Sequence, residues 1–295
     1  MKAGLSAISR REFLQAATSA AAATALPRLS AATTDDTALI DTNISLGAWP
    51  FRRCPLEGAR ALVAKLREHG VTQAWAGSLD ALLHKDVSAV NARLAEECRR
   101  HGGGLLVPIG ALNPRLPGWE EEMRRCVEIY HTPGIRLHPN YHGYGLDDPL
   151  FERVLARAAE RGLFVQIVTT MEDERTIHPL VNVPATDAAP LAGVLERNPA
   201  ARVQLLNAWR TLRGASDLVR ALAARRVRFE IAMLEGIEGV AKLLKQLPPD
   251  RLCFGSHAPI FYFESALLKL RESALEPAQL RAVRAAAAQS LLSHA

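Results

Sequence analysis

The chain has 295 residues, 48% hydrophobic and 23% charged, with a formal net charge of +5. Those proportions are ordinary for a globular protein with one large core. Lys2, Arg10, Arg11 and Arg28, against the single Glu12, put three of the five net charges in the first 32 residues. The remaining +2 makes no electrostatic case for nucleic acid, and aromatics at 5% argue against a base-stacking surface. The four cysteines, Cys54, Cys98, Cys126 and Cys253, form no CxxC pair, so zinc-finger spacing is absent.

Ser9-Arg-Arg-Glu-Phe-Leu-Gln15 is followed by the alanine-rich run Ala16 to Leu26 and by Ser30-Ala31-Ala32. This pattern resembles a twin-arginine export signal cleaved near residue 32. The competing reading is an amphipathic N-terminal helix with a chance Arg-Arg pair. The apolar run is too short and too weakly hydrophobic for a stable membrane span. The expectation is a signal over residues 1–32, export by the twin-arginine machinery to the periplasm, and one domain over residues 33–295. Such cargo folds before crossing, so no disulfide framework is expected.

After residue 32, short apolar runs alternate with helical patterns. Strands are expected over Ala38–Ile44, Gln73–Gly77, Leu105–Leu112, Ile135–Leu137, Leu163–Val168, Arg202–Leu206, Val227–Ala232 and Arg251–Phe254. Between them, apolar residues recur at helical spacing, as at Leu62, Val63 and Leu66, or Phe151, Val154 and Leu155, with Gly70 and Gly162 as stops. A terminal alanine-rich helix is expected from Pro277 to Leu292. Eight strands each followed by a helix imply a parallel sheet, and about 260 residues suit a (β/α)8 TIM barrel. An open doubly wound sheet is the alternative, but no Gly-rich nucleotide turn follows any early strand.

In a barrel of this kind the chemistry lies at the C-terminal strand ends. Those ends carry Asp41, Asn43 and Ser45; Arg136 and His138; Gln166; Asn207, Trp209 and Arg210; Glu230; and Ser256-His257. The stretch Gly134-Ile-Arg-Leu-His-Pro-Asn-Tyr-His-Gly-Tyr-Gly145 is the densest, with one guanidinium, two imidazoles and two phenols. Alternation along a strand puts Arg136 and His138 on one face. Of nine histidines, His138, His142, His178 and His257 fall at this rim. That clustering points to a site for a small-molecule substrate.

Asp41-Thr-Asn-Ile-Ser-Leu-Gly47, Gly134-Ile-Arg-Leu-His-Pro139 and Phe254-Gly-Ser-His-Ala-Pro259 resemble the amidohydrolase-2 branch of the amidohydrolase superfamily. The resemblance covers most of residues 38–292. It implies a (β/α)8 barrel that hydrolyses, or in some members decarboxylates or hydrates, small carboxylated compounds with one divalent metal. Where the family opens with Asp-x-His-x-His, this chain has Asn43 and Ser45; where it ends in Gly-Ser-Asp, the chain has His257; its sixth-strand histidine is Asn207. Asn and Ser are poor zinc ligands, so the usual HxH metal site is not expected.

Three readings follow. In the first the site works without a metal: His257, with a pKa near neutral, is the general base for water, and Arg136 with His138 holds a carboxylate or polarises a carbonyl. His178 joins this catalytic set, with Asn43, Asn207, Arg210, His142 and Tyr144 around the substrate. In the second, His138, His178 and His257 converge as a rearranged zinc site. In the third the barrel binds a ligand without turning it over. Glu172-Asp-Glu-Arg175, in the long connection Thr169–Asp187, is either a lid closing through Arg175 or a solvated charged loop. Trp209 either stacks on substrate or packs. Cys54, between Arg53 and Pro55 and near Arg52, is a candidate for a lowered thiol pKa.

Overall fold

The computed structural model describes residues 37–181 and 183–292. The expected leader, residues 1–32, lies outside the described residues. Nine described strands all pair in parallel: β1 Ile40–Leu46, β2 Gln73–Ser78, β3 Leu106–Pro108, β4 Gly110–Ala111, β5 Gly134–Leu137, β6 Phe164–Val168, β7 Arg202–Leu206, β8 Arg228–Glu230 and β9 Leu252–Cys253. β3 and β4 are halves of one stave, interrupted at Ile109 after Pro108, which brings no N–H to the ladder. β3 pairs with β2 and β4 with β5.

The eighth stave returns to the first. Thr42 N donates to Phe254 O at 3.0 Å, His257 N to Asn43 O at 2.7 Å and Ser45 N to Ala258 O at 2.9 Å. The fold is a closed (β/α)8 barrel, as the strand–helix alternation predicts. The register of β1 on β2 slips between Asp41 and Ile44. This bulge leaves Thr42 and Asn43 without register partners on β2; Thr42 Oγ1 instead donates to Phe254 O on the neighbouring eighth stave, and Asn43 Nδ2 crosses to Asn207 Oδ1.

Helices cover the outside wherever the 3.6-residue pattern is strong. Ala59–Glu68 buries Ala59, Leu62, Val63 and Leu66, and Pro149–Glu160 buries Phe151, Val154, Leu155 and Ala158. Asp148 caps the second, accepting from Leu150 N at 2.9 Å with Pro149 in the first turn. The terminal helix is less regular than expected: Pro277–Arg281 passes through a π turn, Ala282–Ala286, into Ala287–Leu292. Its Ala285, Ala288 and Leu291 pack with Ile40, Trp75, Ile109 and Phe164 at the N-terminal end of the barrel. No helix among the described residues is long and apolar enough to cross a membrane.

The interior above that plug is polar. Arg136, Gln166 and Gln204 stand in register on β5, β6 and β7, buried to 2%, 0% and 0%. Arg136 Nε donates to Gln166 Oε1 at 2.8 Å, Nη1 to Ile44 O at 2.8 Å and Nη2 to Trp75 O at 3.3 Å. Gln166 Nε2 donates to Thr42 O and Gln204 Oε1, and Gln204 Nε2 to Thr42 Oγ1. The guanidinium lies against Gly77 on β2, where any Cβ would meet Nη1 at 2.5 Å. One side chain thus ties β1, β2, β5 and β6. Replacing it apolarly strands several buried acceptors, so Arg136→Met is expected to destabilise by about 3 kcal/mol or more, read as a lowered urea midpoint. A midpoint within error of wild type would refute this role.

Candidate active site at the C-terminal mouth

Directly above Arg136 the strand ends gather Asp41, Asn43, Asn207, Glu230, Ser256 and His257, each at most 1% exposed. Asp41 Oδ1 accepts from Asn43 N at 3.1 Å and Ser256 N at 3.0 Å, and Oδ2 from Ser256 Oγ at 2.5 Å. Burial outweighs these bonds and pushes its carboxyl up to about 6. Glu230 accepts from Asn207 N at 2.5 Å and from Ala232 N, and burial pushes it up to about 7. Asn43 Nδ2 donates to Asn207 Oδ1 at 2.9 Å, and Asn207 Nδ2 donates to Thr170 O at 2.7 Å and stands 3.4 Å from His257 Nε2. Gly255 lets these staves close: a Cβ there would lie 2.8 Å from Glu230 Oε2 and 3.2 Å from Asn43 Cβ.

Asn207 and His257 both turn off their strands with positive φ, 57° and 58°. Left-handed backbone in a non-glycine residue is strained and collects at functional sites. His257 Nε2 is 2.6 Å from Met171 O. A carbonyl only accepts, so Nε2 carries the proton and Nδ1 the lone pair. The expected near-neutral pKa is overturned, because burial pushes His257 down to about 4. At neutral pH it is an uncharged, oriented imidazole.

Other expected site residues are placed differently. Arg136 is turned into the barrel with its donors committed to protein acceptors, so it does not hold a substrate carboxylate. His138 is buried, with Nδ1 unpartnered, and burial with neighbouring cations holds it well below the usual imidazole range. His142 packs edge-on against it at 6.0 Å and bonds Ala81 O through Nε2. Tyr144 belongs to the core rather than to the substrate: it is 7% exposed and its hydroxyl, buried without a partner, is pushed well above the usual phenol range. Trp209 packs, donating to Glu230 O at 2.5 Å with its ring on Phe229. Burial raises the Cys54 thiol, overturning the lowered value that neighbouring arginines suggested.

The three-histidine metal set is not formed. His178 is exposed on the long connection, where its Nδ1 accepts from Leu180 N, away from His138 and His257. Asn43 Nδ2 donates to Asn207 Oδ1 and Asn207 Nδ2 to Thr170 O, Ser45 Oγ receives Arg136, and His257 Nε2 is bound to Met171 O. Among the described residues no group of three or more His, Cys, Asp or Glu could hold a metal ion. The donors do not fit the divalent ion that the resemblance implies.

The connection after β6 is docked at its start, while Glu174 to Thr176 and His178 to Leu180 are exposed. Glu172 and Asp173 are buried. Arg52 Nε meets Glu172 Oε1 at 2.8 Å, and Arg210 meets Asp173 at 2.7 Å, Glu235 at 2.8 Å and Glu174 at 2.6 Å. Trp49, Met171 and Ile260 form part of an apolar cap with Leu79, Val168 and Leu206. Beside this cap opens a cleft of about 530 Å³ lined by Arg52, Arg210, Met233, Phe261, Tyr262 and Lys269, among others. Phe261 stands edge-on to His257 at 5.4 Å, and Ala232, also lining the cleft, binds Glu230 through its N–H. His257 and Glu230 thus sit one residue behind the wall. Arg210 is the expected substrate residue that does reach a cleft. Lys269 was missed by sequence reasoning, because on a helix after the eighth strand nothing distinguishes it from a surface lysine.

The sequence matches the family described as amidohydrolase over residues 43–292. A search of curated protein sequences returns no match. Among solved structures, the apo IDCase of Metarhizium anisopliae superposes with a TM-score of 0.66 at 15% identity, covering 88% of this chain and 98% of that one. The 5-carboxyvanillate decarboxylase of Sphingomonas paucimobilis gives 0.66 at 14% identity, with 87% and 99% covered. The 2,6-dihydroxybenzoate decarboxylase from Rhizobium gives 0.67 at 13%, with 86% and 98% covered. At such identities the likeness is one of fold.

The raised Glu230 carboxyl has a definite consequence for stability. Its proton is held more tightly folded than unfolded, so its contribution is complete below about 4.5 and is lost as pH rises to about 7. Glu230→Gln keeps the neutral shape at every pH. Relative to wild type, the variant is expected to gain roughly 3 kcal/mol between these limits, read from urea midpoints at acid and neutral pH. A difference that stays flat with pH would contradict a buried, near-neutral carboxyl.

Proposed function

The chain belongs to the amidohydrolase family, and from that premise we propose that it is a hydrolase cleaving an ester or amide bond in a small carboxylated compound. The observation that carries this reading is the position of Glu230, buried and poised near neutrality, immediately behind a cleft with three arginines on its wall. A volume of about 530 Å³ is ordinary for a small-molecule site. Arg52 and Arg210 already pair with Glu172 and with Asp173, Glu174 and Glu235, so in this reading a substrate carboxylate exchanges with the rim partners of Arg210, while Met233, Leu234, Ile260 and Phe261 offer an apolar wall to its body.

In this reading Glu230 does the proton work. A pKa near the working pH lets it take a proton from water and return it to the leaving group, which a group held near 4 does poorly. In this reading His257, its tautomer fixed by Met171 O, orients the water through Nδ1, and Asn207 Nδ2 beside the ring helps to hold the imidazole. Substrate reaches them past Phe261 and Ala232. The second reading, a binding protein without turnover, draws on the Asn43–Asn207 amide pair, which already stitches the mouth shut.

A screen of carboxylated esters, lactones and amides, with and without added Zn²⁺ and Mn²⁺, tests the proposal. Aromatic carboxylates belong in the same screen, with released CO₂ as the readout. Glu230→Gln is expected to lower kcat by about 100-fold or more at nearly constant KM, and Arg210→Lys to raise KM by about tenfold. Carboxylate binding in calorimetry with no turnover would favour the binding protein. Turnover only with added metal would remove Glu230 from its role.

Export is a separate proposal resting on Ser9-Arg-Arg-Glu-Phe-Leu-Gln15. The mature protein is expected in the periplasm with its N-terminus near residue 33. Changing Arg10 and Arg11 to Lys should leave the precursor unprocessed in the cytoplasm. Unaltered processing in that double variant would reject the twin-arginine route.

A further inference from the structure

Lys269 is a cleft residue with no part in the proton chemistry above. It lies on the helix Phe263–Glu272, and its Nζ reaches Ala232 O at 2.7 Å. Ala232, Met233, Leu234, Ile260 and Phe261 give the cleft an apolar wall, alongside a charged one of Arg52, Asp173, Arg175, Arg210 and Glu235. Among the described residues no carboxylate stands within ion-pair distance of it, whereas Lys65 is paired with both Glu68 and Glu264. An ammonium has three donors to satisfy, and Ala232 O takes one. A neutral amine fits better: one N–H stays on Ala232 O and a lone pair becomes available to the cleft. Burial lowers the pKa of this amine and outweighs the opposing pull of Glu230, Glu272 and Glu235.

We propose that Lys269 is a nucleophile that captures the carbonyl of a small keto acid or aldehyde acid in this cleft as an imine. The proposal rests on the cleft being the ligand site of the preceding subsection, with the carboxylate taking the place of Glu174 or Glu235 on Arg210. The lone pair of Nζ adds to the carbonyl carbon, forming the C–N bond, while the carbonyl π pair moves to oxygen. That oxygen takes up a proton and nitrogen gives one up, yielding the carbinolamine. Loss of the hydroxyl as water, with departure of the second nitrogen proton, gives the imine; no oxidant or reductant is consumed. The apolar wall favours this dehydration by limiting water, and the desolvated amine is the activated form of a lysine nucleophile.

The test is reductive trapping on the full chain with pyruvate and cyanoborohydride at neutral pH, followed by peptide mass spectrometry. The reduced adduct is expected on Lys269 at several times the level on Lys65, since burial lowers the amine of Lys269 while Glu264 and Glu68 hold that of Lys65 protonated. Lys269→Arg should abolish it; arginine keeps a donor for Ala232 O but forms no imine, and an unchanged thermal melt verifies the fold. Propionaldehyde serves as the probe without a carboxylate. Adducts spread evenly over the lysines, or none on Lys269 with either probe, would overturn the proposal. Labelling of Lys269 by propionaldehyde but not pyruvate keeps the lysine chemistry and sinks the carboxylate-binding cleft. Calorimetry of pyruvate with Lys269→Arg measures that cleft reading by itself.

Discussion

A guanidinium buried in the axis of the barrel is the constraint from which the rest of this structure follows. Arg136 is 2% exposed, and burial lowers even its pKa to about 10. A charge so placed must be surrounded by acceptors or the fold does not hold. The acceptors are Gln166, Ile44 O, Ser45 Oγ and Trp75 O, and Gln166 passes the requirement on to Gln204 and Thr42. The interior is therefore a hydrogen-bonded lattice where most barrels stack apolar layers. A lattice of this sort tolerates few registers, because one slipped strand would leave several polar groups unpaired.

The same economy of partners shapes the mouth. Asp41, Ser256, Glu230 and Asn207 satisfy one another, largely through backbone N–H groups at the strand ends. Two residues there, Asn207 and His257, hold left-handed backbone, a strain that the surrounding bonds sustain. Burial then separates the titrating groups in opposite directions: the carboxyls rise toward neutrality and the imidazoles fall. At neutral pH His257 is thus an uncharged imidazole, while Glu230 is held near the point where it gains or loses its proton.

Above the lattice, charge returns at the rim. Arg52, Arg210 and Arg175 pin the connection after β6 to the loops after β1, β7 and β8 through Glu172, Asp173 and Glu235. Half-buried pairs sharing several partners hold better than isolated surface pairs. They keep the apolar cap of Trp49, Met171 and Ile260 in place, and the open cleft lies to one side of the barrel axis.

The alternation of short apolar runs with 3.6-residue patterns was enough to determine eight staves, their helices and the parallel closed sheet, because burial of periodic faces is a local property. Asp41, Asn43, His138, Asn207, Glu230 and His257 were legible as strand-end residues for the same reason. Which of them meet, and in what state, was decided only in three dimensions. Arg136 and His138 share a face in the sequence pattern, yet one bonds the barrel wall and the other stands near a second histidine. His178 shares their composition but lies on an exposed stretch. Lys269 became visible only when the helix Phe263–Glu272 packed against the loop after β8. Hydrogen-bond partners and local dielectric depend on residues far apart in the chain, and no periodicity in the sequence records them.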